Sequence, residues 1–232
     1  MHPLVIVATH QPIFSPWPGF FAKALCADRM VLLDNVQFPR GRTWLNRNRL
    51  KNETGELWLT VPVWKTGRGV QVVGRVEIYH ERGWQHKHLQ GIQQNYARAP
   101  YFKEYFERIE SIYHQTTNLL VDLNLSLIRF LWQELSFEVQ LLRQSELGIT
   151  GKGTQLLVDI CQHLGGDRLA IFPGVEKHLD LDHLQKHGIG IHHVPFHPVV
   201  YPQLWGDFIY NLSTLDLLLN CGPKSRDVLA QA

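Results

Sequence analysis

Residues 4–10, LVIVATH, are the stretch that decides the fold of this chain. Their apolar, largely β-branched run does not alternate with polar residues, which is typical of a strand buried on both faces of a parallel sheet. Three prolines within residues 11–19 exclude a regular element directly after it. A helix-like segment at 20–27 and a second apolar run at 30–34 follow. The opening of the chain therefore predicts a β-α-β unit.

The remaining chain repeats this alternation around a helical block. Apolar spacings of three and four residues predict that residues 84–135 are mainly helical. Further strands are expected at 57–63, 72–78, 139–142, 168–172 and 189–194, and further helices at 155–164, 181–187 and 214–219. Ser213 and Asp216 match the spacing of a helix cap. These patterns predict an α/β fold, Rossmann-like or nucleotidyltransferase-like, with a central, largely parallel sheet, strand one at its centre and a helical insert.

The composition narrows the class of protein. With 232 residues and a net charge of +2, the chain suits one α/β domain, and no charge excess calls for nucleic acid or a membrane surface. Three widely spaced cysteines favour reduced thiols over a disulfide framework. No run approaches the roughly 18 apolar residues of a membrane span, and no signal segment is visible. We expect a cytoplasmic protein with a small-molecule substrate, no nucleic-acid partner and no membrane insertion.

Polar residues follow both strands of the opening unit. His10 ends the first strand and Asp34 ends the second, and the carboxyl ends of parallel strands lie at one edge of a sheet. We expect His10, Asp34 and Asn48 to face one cavity. His10 and Asp34 are acid–base candidates, and Glu146 is a further candidate base. The alternatives are a histidine that bonds loop backbone and a turn-forming aspartate.

Two segments carry groups suited to an anion. In residues 46–49, Asn46 and Asn48 would share one face of an extended chain, and Arg47 and Arg49 the other. Arginine binds phosphate or carboxylate through two parallel hydrogen bonds, although a solvated strand edge is equally compatible with the pattern. Lys152 precedes Thr154 at the start of a helix. The pattern is compatible with an anion-binding site and equally with an ordinary helix cap. We expect the Lys152 turn to join the site.

The histidines give no metal-binding pattern. His192 and His193 would point to opposite faces of a strand, so only one of them could join His197. Neither a Cys-x-x-Cys nor a His-Glu-x-x-His pattern is present. The sequence therefore predicts no metal ligands, and His88 is expected to be a packed core histidine.

Many separated blocks resemble the WbqC-like protein family, which is associated with bacterial surface polysaccharide and O-antigen biosynthesis. They are His10-Gln11-Pro12, Pro16-Trp17, Gly19-Phe20-Phe21, residues 33–38, residues 46–49, residues 59–63, residues 145–148, residues 201–206 and residues 220–223. The family's Ser-Gly-x-Gly-Gly-like turn is reduced here to Pro173-Gly174. The resemblance implies one WbqC-like domain over residues 1–232, with the helical insert at about 84–135. The first loop also loosely resembles HIGH-type nucleotidyltransferases, without their second histidine.

Together these points favour an enzyme, a transferase or an ATP-dependent ligase. It would transfer an activated acyl or aminoacyl group to an amine, for which a nucleotide-linked sugar is one candidate. Nucleotidyl transfer to a sugar phosphate and non-catalytic binding during glycan assembly are the alternatives. The cofactor stays open, with ATP and Mg²⁺ as one candidate. The predicted catalytic residues are His10, Asp34 and Glu146, and the predicted binding residues are Gln11, Trp17, Gly19, Gln37, Trp44, Asn46, Arg47, Asn48, Arg49, Lys152, Thr154, Tyr201 and Trp205.

Overall fold

The computed structural model describes residues 3–81, 83–115 and 117–231. Its strands are β1 (Ile6–His10), β2 (Arg29–Leu32), β3 (Arg47–Asn52), β4 (Gly55–Thr60), β5 (Gln140–Arg143), β6 (Arg168–Ile171) and β7 (Gly190–His193). Its helices are α1 (Pro18–Leu25), α2 (Trp84–Tyr96), α3 (Phe102–His114), α4 (Leu120–Glu134), α5 (Gly153–His163), α6 (Leu181–Lys186), α7 (Thr214–Cys221) and α8 (Ser225–Leu229). No helix in these ranges is long and apolar enough to cross a membrane.

Five of the strands form one parallel sheet in the order β5-β2-β1-β6-β7. The first strand is central, as its unbroken apolar run predicts, and it pairs with β2 on one side and β6 on the other. Val7 and Ala8 are both fully buried, although they point to opposite faces. The predicted Rossmann-like α/β class is confirmed.

Helices cover both faces of this sheet. On one face, Ala8 belongs to a large core that includes Phe20 and Phe21 of α1 and the apolar sides of α2, α3, α4 and α7. On the other face, Val7 packs in a smaller core with Leu156 and Ile160 of α5. The helices that precede β2 and β6 therefore lie on opposite sides of the sheet, which is the doubly wound arrangement.

The helical block is confirmed. Residues 84–134 contain α2, α3 and α4, and the leucine stripe of α4 is buried, with Leu127 and Leu131 fully inaccessible to solvent. Asn124 interrupts this stripe and is also fully buried. A polar side chain at such a position needs hydrogen-bond partners, and the site below supplies them for its amide nitrogen, while its Oδ1 has none within the described residues.

A β-hairpin of β3 and β4 lies beside the sheet. Two local predictions are wrong, one for the strand at residues 72–78 and one for the capping role of Asp216. Residues 72–78 form a short 3-10 helix, Val73–Arg75, instead of a strand. This segment bonds to the loop after β2, where the Gly74 amide donates to the Asp34 carbonyl at 2.7 Å.

In α7, Ser213 caps the helix by accepting from the Leu215 amide, but the Asp216 side chain takes no part in the cap. Its carboxylate instead accepts from the hydroxyls of Tyr96 and Tyr201.

Candidate functional site

The site lies at the switch point of the sheet, outside the carboxyl ends of β1 and β6. Open α/β sheets bind ligands at this position, because the chain connections diverge to opposite faces and leave a crevice. His10 is the last residue of β1, and Phe172 follows the end of β6. Trp17 packs against Phe172 and Phe196, with ring centroids 5.9 and 5.0 Å away, and so closes the β6 side of the crevice with aromatic rings.

A cavity of about 360 Å³ opens beside His10, and we call it the inner cavity. It is lined by His10, Ile13, Trp17, Trp44, Asn48, Arg49 and Asn211. Five of these seven residues were predicted as site residues from the sequence. Ile13 and Asn211 were not, because nothing in their local sequence marks them.

The loop between β1 and α1 shapes this cavity and is held by side chains from distant elements. The Asn48 amide of β3 donates to the carbonyls of Phe14, at 3.3 Å, and Ser15, at 2.7 Å. From α4, the Asn124 amide donates to the carbonyls of Pro12, at 2.7 Å, and Leu45, at 2.8 Å. The buried asparagines therefore replace the hydrogen bonds that a proline-rich loop cannot make within itself.

A third anchor of the loop comes from the start of α7. Ser15 has a φ of 46°, a left-handed conformation that a residue with a Cβ atom rarely adopts. Its hydroxyl lies 2.6 Å from that of Ser213, and the Thr214 amide donates to the Pro16 carbonyl at 2.7 Å. A strained, buried residue of this kind persists only where its surroundings hold it in place, and such residues cluster at functional sites.

His10 is neutral, and its Nε2 accepts no hydrogen bond from the part of the chain that the structure describes. Its Nδ1 lies 2.8 Å from the Gln11 carbonyl oxygen, which only accepts, so Nδ1 carries the proton. Burial first and the charge of Lys23 second lower the pKa of His10 from 6.5 to about 4, against the opposing effect of the Gln11 bond. Nε2 of the neutral ring therefore carries a free lone pair at neutral pH.

Lys23 is a buried lysine that the sequence reasoning missed. Its ammonium donates to the Thr9 carbonyl at 2.9 Å and lies 5.4 Å from the centroid of the Phe172 ring. Burial lowers its pKa from 10.5 to about 8. Its position in α1, within an otherwise apolar buried face, was the available signal.

The two arginines of β3 point to the outer side of the hairpin, as the alternation predicts, while Asn46 and Asn48 are buried. Arg49 lines the inner cavity, where its guanidinium pairs with Glu56 and donates to the Tyr210 carbonyl at 3.2 Å. Arg47 lies outside that cavity, with its guanidinium stacked 3.9 Å from the centroid of the Trp58 ring. The Nε atoms of both arginines are buried and have no hydrogen-bond partner within the described structure.

Asp34 does not face the inner cavity, so the expectation of one cavity shared with His10 and Asn48 is wrong for this residue. It is 1% exposed and lines a separate depression at the ends of β2 and β5. Its carboxylate accepts from Arg143 Nε and Nη2, both at 2.8 Å, and from the Ser145 amide and hydroxyl at 2.9 and 2.6 Å. These four bonds saturate the carboxylate and fix β5 to β2.

Several predicted residues lie away from the inner cavity. Glu146 is exposed, 3.7 Å from Arg143, and Gln37 is exposed beside Val72. Lys152 is exposed, and the expectation that its turn joins the His10 site is wrong, since it does not line the cavity. Four other predicted residues use their polar groups in hydrogen bonds within the protein. The Thr154 hydroxyl accepts from the Asp180 amide, and the Asn46 amide donates to the Val61 carbonyl. Tyr201 donates to Asp216, and Trp205 donates to the Asn95 carbonyl.

Gln11 and Gly19 support the cavity instead of lining it. The Gln11 carbonyl sets the tautomer of His10, as described above. Gly19 lies directly under the Trp17 indole, where an added Cβ would come within 2.2 Å of Cη2. Glycine at this position therefore allows the cavity wall to fold back over the start of α1.

Asn124 and Ser213 are the site-shaping residues that sequence reasoning missed. A polar residue inside the leucine stripe of α4 was a signal for Asn124. Ser213 was interpreted only as a helix cap, and its contact with Ser15 joins residues 198 positions apart.

The other histidines of the described chain form no metal-binding group. His88 is buried in the core, where it accepts from the Thr60 amide at 3.0 Å, and His193 pairs with Glu176. Within residues 3–81, 83–115 and 117–231, no group of three or more histidine, cysteine, aspartate or glutamate residues could hold a metal ion.

Comparison with known proteins gives the family. The model of the WbqC-like protein family matches residues 11–228. The chain belongs to this family. The match includes every residue of the inner cavity except His10, which directly precedes it. An uncharacterized protein of Mycobacterium tuberculosis is 30% identical over 226 residues, covering 96% of each chain. No solved structure matches this WbqC-like protein.

Proposed function

We propose that this protein is an enzyme of surface-glycan biosynthesis that transfers an activated acyl or aminoacyl group to an amine of a nucleotide-linked sugar. The observation that carries the proposal is the neutral His10 imidazole at the switch point of the sheet, beside a cavity that also presents Arg49 and Asn48. The surface-polysaccharide setting implied by the WbqC-like family supports the substrate class. His10 is the base of this reaction and Arg49 holds an anionic part of the substrate.

The proposed step uses the bare Nε2 of His10. The amine nitrogen forms a bond to the acyl carbon, and the bond from that carbon to its leaving group breaks with its electron pair. The proton released by the amine passes to Nε2. A pKa of about 4 makes His10 a weak base in the empty cavity. An anionic substrate beside the ring raises that pKa by favouring the charged form, so substrate binding strengthens the base where it is needed.

Product formation tests the proposal. The protein is incubated with ATP, Mg²⁺, a mixture of amino acids and small carboxylic acids, and UDP-glucosamine, and acylated sugar nucleotide is sought by mass spectrometry. His10→Gln should reduce product formation by about a hundredfold or more, the usual effect of losing a general base. His86→Gln, on the exposed side of α2, is the matched control and should retain the rate.

Binding is measured separately by calorimetry with UDP-glucosamine. A charge-assisted hydrogen bond contributes roughly 1.5–3 kcal/mol. Arg49→Gln should therefore weaken binding about ten- to a hundredfold, while His10→Gln changes it much less. Binding of the sugar nucleotide without any acylated product would contradict the transferase and indicate a protein that only binds during glycan assembly.

A further inference from the structure

A second pocket, which we call the outer pocket, adjoins the inner cavity. It has a volume of about 250 Å³ and is lined by Arg42, Thr43, Trp44, Arg47 and Trp58. Trp44 lines both pockets, so one indole forms the wall between them. The Trp44 carbonyl accepts from the Phe14 amide at 2.9 Å, which ties this wall to the loop that carries His10. A single ligand can therefore span both pockets.

The aromatic side of the outer pocket is a pair of exposed indoles. Trp44 and Trp58 are 50% and 41% exposed, with ring centroids 5.8 Å apart and planes 25° from parallel. A ring inserted between them would need about 7 Å, twice the carbon contact distance of roughly 3.5 Å. Because Arg47 already stacks on Trp58, the open face belongs to Trp44. A flat ring would lie against that face.

The remaining lining is cationic. Arg42 and Arg47 carry two positive charges, and neither forms an ion pair within the described residues. No acidic residue lines the pocket in the part of the chain that the structure describes. Neutral glycan sites pair an aromatic ring with acceptors for sugar hydroxyls, and guanidinium groups offer only donors. The charge and the exposed ring together favour an aromatic anion.

The spacing of the arginines fits a diphosphate. Arg47 and Arg49 are two residues apart on one face of β3, about 6.6 Å along the strand. Arg47 lines the outer pocket and Arg49 the inner cavity, so a guanidinium group lies in each. Arg49 is shared with Glu56, and a phosphate there would compete with that carboxylate. A chain of two phosphates can bridge that distance.

We propose that the outer pocket binds the nucleoside of a nucleotide-linked substrate, with the base on the open face of Trp44 and the phosphates between Arg42, Arg47 and Arg49. The group that the nucleotide carries then lies in the inner cavity beside His10. This orientation rests on the proposed function, because only that function gives the inner cavity its reacting amine. Binding of the nucleoside diphosphate in the outer pocket stands on the geometry alone.

The test uses UDP and ADP as probes, with uridine and pyrophosphate as their halves, and follows tryptophan fluorescence and calorimetry. At least one diphosphate should bind more tightly than either half. Trp58→Leu removes the ring that packs against Trp44 and carries Arg47, so it should weaken binding about tenfold. Trp64→Leu is the matched control, because Trp64 is 42% exposed and packs edge-to-face against Tyr79 outside both pockets. The affinity of the Trp64→Leu variant for UDP and ADP should equal that of the unmodified protein.

Arg42→Gln supplies a second variant that removes no aromatic packing. It should lower affinity about tenfold and reduce the salt dependence of binding, since one phosphate contact is lost. Affinity that falls in His10→Gln and Arg49→Gln but not in Trp58→Leu or Arg42→Gln would place the nucleotide in the inner cavity and overturn the inference. That result would leave the proposed transferase intact. Conversely, loss in Trp58→Leu without any acyl transfer by the unmodified protein would support the pocket and contradict the transferase.

Discussion

His10 and Asp34 lie at the carboxyl ends of neighbouring strands of the same sheet, His10 as the last residue of β1 and Asp34 two residues past β2, and their surroundings differ. Asp34 accepts four hydrogen bonds from Arg143 and Ser145, whereas His10 makes one bond to the next residue and keeps Nε2 free. Asp34 joins β2 to β5, whereas His10 opens onto the inner cavity. A polar residue at the end of a parallel strand is therefore available to a ligand only when the protein leaves part of it unpaired.

Removing the partner of Asp34 should have the largest effect. Arg143→Met would leave a buried carboxylate without its counter-charge, which costs about 3–5 kcal/mol in the free energy of unfolding. The matched control is Arg68→Met, which breaks an exposed pair with Glu77 and should cost less than about 1 kcal/mol. Urea denaturation measures both. Equal losses in the two variants would show that Asp34 is solvated and as available as His10.

Removing an anchor of the His10 loop should come second. Asn124→Leu keeps the branched shape of the side chain and leaves the carbonyls of Pro12 and Leu45 without donors. Each buried acceptor left unpaired costs about 1–3 kcal/mol, and removing the unpaired Asn124 Oδ1 offsets part of that sum, so the net loss should be roughly 2–4 kcal/mol by urea denaturation.

Asn95→Leu is the control for this anchor, because the Asn95 amide bonds only within its own helix to the Gly91 carbonyl. It should change stability by less than about 1 kcal/mol. Similar values for the two asparagines would show that the loop does not depend on α4.

Acid should destabilise the folded protein through His10, because folding lowers the pKa of this histidine. Protons bind the unfolded histidine near pH 6.5 and the folded one only near pH 4, so stability is lost as the pH falls between these values. At pH 5.5 the loss is on the order of 1 kcal/mol for a histidine with these two values. His88, whose pKa burial also lowers to about 4, should contribute a similar loss.

Histidine NMR titration separates the two groups. Lys23→Met should raise the pKa of His10, because the lysine charge opposes protonation of that ring, and leave His88 unchanged. A shift of both, or of neither, would remove Lys23 from the electrostatics of the inner cavity.

The smallest effect concerns the cavity wall. Gly19→Ala would place a methyl group 2.2 Å from Trp17 Cη2 and so push the indole off the start of α1, at a cost of about 1 kcal/mol. Gly41→Ala, where nothing lies within 4 Å, is the control and should be nearly neutral. Trp17 fluorescence should change in the first variant and not in the second. An unchanged signal in Gly19→Ala would show that the wall adapts without moving.

Local patterns predicted most of the fold and part of the site. The apolar run ending at His10 correctly indicated a central parallel strand, and the spacing of the α4 leucines indicated a helix. Alternation in β3 separated the buried asparagines from the outward arginines. The prediction was wrong at residues 72–78, whose β-branched residues suit a strand, because their backbone bonds to the loop after β2. No local pattern contains that long-range partner.

What the sequence by itself determined is which segments are strands and helices, since the period of apolar residues reflects only which side of each element is buried. What the tertiary structure decided is which polar residues remain free. Asp34 looks as functional as His10 in sequence, but Arg143 lies 109 residues away and neutralises it. Asn124 and Ser213 shape the His10 loop from elements far along the chain. Availability to a ligand depends on hydrogen-bond partners in space, and these become known only when the chain is folded.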